Sequence, residues 1–129
     1  MNSLPAIDYP TDVVDLCSSL VRIPSVNPAD NPGTEHVGEE HCARWIGEWI
    51  RTHFPRSVVR IDEILPGRPN VVARLNRQHP SGRRVLFAPH TDTVSVVGMT
   101  IDPFGGAVRE HQVWGRGASD TKGPMAAML

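Results

Sequence analysis

A chain of 129 residues allows one domain at most. Its 13 Lys and Arg against 14 Asp and Glu leave a formal charge of −1, with no basic stripe for nucleic acid and no charge block for a disordered tail. No apolar run is long enough to span a bilayer, and the opening MNSLPAIDYP has neither the cationic start nor the apolar core of a secretory leader, so a cytoplasmic protein is the expectation.

Thr11 is placed to cap a first helix, with Asp12 and Asp15 in its opening turn, where the helix dipole favours acids. Val13, Leu16, Cys17, Leu20 and Val21 recur at helical spacing and make one apolar face. Pro24 ends that helix, because the residue before a proline is pushed out of the helical region. Residues 23–32, rich in proline, serine and asparagine, read as loop without assigned chemistry. Thr34 is placed to cap a second helix running to about Phe54, with Val37, Cys42, Trp45, Ile46, Trp49 and Ile50 as its buried stripe. The tryptophans four apart read as core packing rather than a ligand box. His36 and His41 do not share a helical face, and with His53 they read as solvated or core residues. Cys17 and Cys42 fall in these helices and read as buried free thiols; a cysteine zinc site has no further cysteines to draw on.

Residues 57–64 read as a strand, Pro66-Gly67 as a turn, and Asn70 to Leu75 as a second strand. His79-Pro80-Ser81-Gly82 reads as a hairpin turn into a third strand ending at His90. Arg60, Arg74, Arg77, Arg83 and Arg84 flank strands at their solvent ends and read as surface charges rather than an anion site. Ala107 to Glu110 and Val113-Trp114 are expected to pair around His111-Gln112, leaving His111 on an exposed turn.

Chemistry concentrates between Val85 and Gly123. Val85, Leu86, Phe87 and Ala88 form a short apolar run of the kind that makes a strand buried on both faces. If the chain stays extended beyond it, His90 and Asp92 point to the same side. A carboxylate so placed fixes one imidazole nitrogen and presents the other to a metal. Alone, His-x-Asp more often describes a surface pair in a strand-end loop. Downstream, Val113-Trp114 leads into Gly115-Arg116-Gly117-Ala118-Ser119-Asp120-Thr121-Lys122-Gly123-Pro124. The glycines permit a tight loop carrying Asp120, and Pro124 suits the first turn of a helix. A Walker loop needs glycine where Thr121 stands, and a dinucleotide loop needs glycine where Asp120 stands. Both departures bring a carboxylate to the place a phosphate would approach, so neither reading survives.

Taken in order, Ile23 to Pro28 (IPSVNP), His90 to Val94 (HTDTV), Asp102-Pro103-Phe104 and Gly115 to Gly123 (GRGASDTKG) closely resemble the zinc hydrolase family of acetylornithine deacetylase, succinyl-diaminopimelate desuccinylase, aminoacylase and related carboxypeptidases. The resemblance implies an α/β fold: the N-terminal part of a zinc-peptidase-like catalytic domain, a mixed sheet flanked by helices. It implies that His90 ligates one metal, Asp92 orients His90, and Asp120 bridges two metals, with a cis peptide between Asp120 and Thr121. Two zinc ions, or cobalt in their place, are the implied cofactors. The implied reaction is hydrolysis of the amide bond of an N-acyl amino acid or small peptide. HTDTV resembles the acetylornithine deacetylase branch, but Ser95 replaces the usual proline after it and Met99-Thr100-Ile101 replaces the usual tryptophan before DPF, so the branch stays open.

A catalytic zinc takes about three protein ligands, whereas His90 and Asp120 are the only two ligands that match the pattern here. The apolar helical face begun by Met125, Met128 and Leu129 has no C-cap. The expectation is therefore a truncated catalytic domain over residues 1–129. The catalytic Glu-Glu pair, a further carboxylate, a late histidine and a smaller domain able to mediate homodimerisation would lie beyond it. Such a chain is expected to be inactive alone. The alternative is a non-catalytic metal-binding or interaction module that kept the fold.

Overall fold

The computed structural model describes residues 9–30, 36–75 and 82–129. Helix α1 spans Val13–Val21, and its cap is Asp12 rather than Thr11. The Asp12 carboxylate accepts from Val14 N at 2.9 Å and Asp15 N at 3.3 Å, meeting two of the free amides of the first turn with a stronger acceptor than a hydroxyl. Helix α2 spans Glu40–His53, shorter than the pattern predicted. Thr34, its expected cap, lies outside the described residues. The observed cap residue, Glu39, makes no side-chain capping bond because its carboxylate is engaged by Arg68 at 2.8 Å. Val37 consequently lies before the helix, half-buried and bridged to Val26, rather than in the helical stripe.

Strands β1 (Val58–Leu65) and β2 (Arg68–Arg74) form an antiparallel hairpin around Pro66-Gly67. Strands β3 (Ala107–Arg109) and β4 (Gln112–Trp114) form a second hairpin. Its turn residues are Glu110 and His111, both at positive φ, one position earlier than the sequence pattern indicated; His111 is exposed, as expected. Helix α3 spans Gly123–Met128 with Pro124 in its first turn.

The core joins Leu16, Cys17, Leu20 and Val21 of α1 with Cys42, Ile46, Trp49 and Ile50 of α2 and Met125 and Ala126 of α3. The tryptophans pack rather than bind: Trp49 is buried and donates Nε1–H to Pro10 O at 2.8 Å, and Trp45 meets Tyr9 edge-on at 5.4 Å. Both cysteines are buried and free. Burial pushes the Cys42 thiol above its ordinary range, against the smaller opposing pull of Lys122. His53 stacks on Trp49, and His36 packs on Phe104.

Helices and strands are thus both present, but the expected mixed sheet is not formed among the described residues, which make two separate two-stranded antiparallel sheets. The third strand is the main correction. Residues 82–90 pair with no strand, and Val85, Leu86 and Phe87 are 80%, 87% and 62% exposed. A strand is defined by its neighbours' hydrogen bonds, and no described segment supplies them. The run borders an open trough of about 1720 Å³, shared with Ile46, Ile50, Val71 and Met125. The expected turn at 79–82 falls largely outside the described residues, as does Arg77. No described helix is long and apolar enough to cross a membrane.

Candidate metal centre

Three segments converge on His90. The first carries it: the exposed run leads without regular secondary structure to Thr93, which bridges to Val26. His90 Nδ1 lies 3.0 Å from the Asp92 carbonyl oxygen and 3.2 Å from its Oδ1, so the two side chains do share a side. Both neighbours of Nδ1 are acceptors, so this nitrogen carries a proton and donates it.

The second segment is the glycine loop. Gly117 adopts φ 84°, and a Cβ there would lie 2.7 Å from Thr93 Cγ2, so only glycine permits the approach. Residues 118–122 form a wide turn in which Lys122 N donates to Gly117 O at 2.8 Å. The Asp120–Thr121 peptide is cis, as the family pattern implied. This turn lifts Asp120 into solvent and brings its Oδ1 to 2.9 Å from His90 Nε2. With Nδ1 protonated, a neutral ring would set a lone pair on Nε2 against a carboxylate lone pair. That contact is favourable only with a proton or a cation between them. Partial burial disfavours a charged His90 ring. The bonds to Asp120 and Asp92 and both carboxylate charges outweigh it, and the imidazole pKa rises above its ordinary value.

The third segment is the IPSVNP loop, to which the sequence reading assigned no chemistry. Asn27 Nδ2 donates to Asp92 Oδ2 at 2.7 Å. Ser25 Oγ donates to Thr91 O at 2.7 Å, Thr93 N to Ser25 O at 2.9 Å and Asn27 N to Thr93 O at 2.8 Å. Arg68 reaches the same Asp92 oxygen at 3.8 Å, backed by buried Glu39. Lys122, 1% exposed, donates Nζ–H to Ile23 O at 2.6 Å, and its burial lowers its pKa. Asn27, Glu39, Arg68 and Lys122 were not among the predicted site residues. For Asn27 the motif itself was the available signal; for the Glu39–Arg68 pair there was none.

The donor set fits a metal in kind. Tetrahedral zinc held by an imidazole nitrogen and a carboxylate oxygen at about 2.0–2.2 Å each would set those donors roughly 3.4 Å apart, so the 2.9 Å contact is a hydrogen bond that would have to open to admit the ion. In number it is partial, since the described residues hold no cluster of three or more such donors.

No protein-family model matches the chain. Among curated proteins it is 37% identical over 123 residues to the succinyl-diaminopimelate desuccinylase of Methylocella silvestris, covering 93% of this chain and 29% of that protein. It is 38% identical, with the same coverage, to that of Cereibacter sphaeroides, and 38% identical over 117 residues to that of Beijerinckia indica, covering 88% of this chain and 28% of the relative. The chain therefore spans under a third of the length of these relatives. Over nearly its whole length the chain is thus similar to succinyl-diaminopimelate desuccinylases, in agreement with the order of its motifs.

Proposed function

We propose that the complete protein is a metal-dependent amidohydrolase that cleaves the acyl–nitrogen bond of an N-acylated amino acid, with succinyl the favoured acyl group. The relatives' names support the acyl group. The observation that carries the metal reading is the His90–Asp120 contact, two acceptor atoms 2.9 Å apart that require a cation or proton between them. In this reading His90 Nε2 and Asp120 are ligands, and Asp92 fixes the imidazole through its main-chain carbonyl at 3.0 Å from Nδ1, with its carboxylate alongside at 3.2 Å. When bound, a pair of zinc ions lowers the pKa of a water to about 7 and polarises a carbonyl. Asp120, whose side chain is 86% exposed, would be the carboxylate the two ions share, and His90 would hold one of them. With only these two ligands matched to the pattern, the 129-residue chain by itself is proposed to be inactive.

Zinc content and turnover of N-succinyl and N-acetyl diamino acids by the complete protein test the proposal. Asp120→Ala is expected to abolish paired zinc binding and hydrolysis together. Wild-type turnover in that variant would remove Asp120 from the site. Stoichiometric zinc without hydrolysis of any acyl substrate would favour a non-catalytic metal-binding module.

A further inference from the structure

We infer that Asn27 is a positioning residue for the metal centre: its amide fixes the plane of the Asp92 carboxylate, and through it the His90 ring. The inference rests on the proposed metal reading and extends it to the IPSVNP loop.

A carboxylate turns readily about its terminal torsion, which is broad and nearly two-fold. The Asp92 main-chain carbonyl meets His90 Nδ1 at 3.0 Å, and the carboxylate at 3.2 Å adds a second, directional hold only if its own plane is fixed. The structure shows what holds it. Oδ1 faces His90 Nδ1 at 3.2 Å, while Oδ2 accepts from Asn27 Nδ2 at 2.7 Å. The second contact is short, as expected for a bond to a charged acceptor. The Asn27 amide is itself oriented. Its Oδ1 accepts from Ala29 N at 2.9 Å, closing a turn that leaves only the NH2 group to face Asp92. The backbone is anchored on both sides. Val26, fully buried, donates N–H to His36 O at 3.1 Å and accepts from Gly38 N at 2.9 Å. Asn27 N donates to Thr93 O at 2.8 Å, which sets the register between the loop and the segment carrying His90 and Asp92. Arg68 lies farther from the same oxygen, at 3.8 Å, and contributes charge rather than a defined angle.

The two ends of the Asn27 amide separate a positioning role from a structural one. Asn27→Asp keeps an acceptor for Ala29 N, and hence the turn, but sets a carboxylate against Asp92. Asn27→Ser keeps a weaker acceptor and is too short to reach Asp92. The measurements are zinc affinity of the complete protein, by chelator competition, and kcat and KM on an N-acyl amino acid, with circular dichroism confirming the fold. Both variants are expected to fold, to lose about 10- to 100-fold in zinc affinity or kcat, the range for partners that orient metal ligands, and to keep KM. In an Asp92→Ala background, Asn27→Ser is expected to cost nothing further. Wild-type zinc affinity and kcat in either folded variant would overturn the inference while leaving the metal reading intact, as would a full additive loss in the Asp92→Ala background. A wild-type protein that binds no zinc would overturn both.

Discussion

The chain contains two differently built regions, and the candidate centre is held between them. On one side Leu20, Val21 and Cys42 are wholly buried in the cluster that α1, α2 and α3 share. On the other, Val85, Leu86 and Phe87 are equally apolar and mostly in solvent. Asp120 and Asn27 are tied to the first region; His90 follows directly on the second. The geometry at His90 is nevertheless defined, because hydrogen bonds from the 25–27 loop substitute for a sheet. Apolar content alone thus does not make a core, since burial requires a second surface.

The largest test of this contrast is truncation in the packed region. Leu20→Ala is expected to destabilise the chain by about 2–5 kcal/mol, measured by urea denaturation, through lost burial and the cavity left behind. Next comes the link between the regions. Lys122→Met keeps the buried stem but leaves Ile23 O without the donor it has at 2.6 Å. A loss of about 1–2 kcal/mol is expected, part of the unpaired-carbonyl cost being offset by relief of a buried charge. Smallest is Leu86→Ala, expected to lie within about 0.5 kcal/mol, because that side chain is 87% exposed. A Leu86→Ala cost equal to that of Leu20→Ala would show that the exposed run is covered in solution and would erase the contrast.

Much of the fold was legible. The 3.6-residue pattern located α1 and most of α2, and the turn residues located both hairpins, to within a few positions. The errors have separate causes. Thr11 lost the cap to Asp12, whose carboxylate is the stronger acceptor. The third strand failed because apolar composition reports willingness to be buried, not the presence of a partner. In the candidate site, motif order singled out His90, Asp92 and Asp120, and the structure brings them within hydrogen-bond reach of one another.

By itself, the sequence determined the helices, the hairpins and the identity of the three chemically distinctive side chains, because each is written in local spacing. Only the tertiary structure decided that Asn27 holds Asp92, that Arg68 pairs with buried Glu39 and that Lys122 crosses to Ile23. These contacts join residues 65, 29 and 99 positions apart. No local periodicity encodes such a meeting; it follows from which surfaces the helices bury and where that packing leaves the loops.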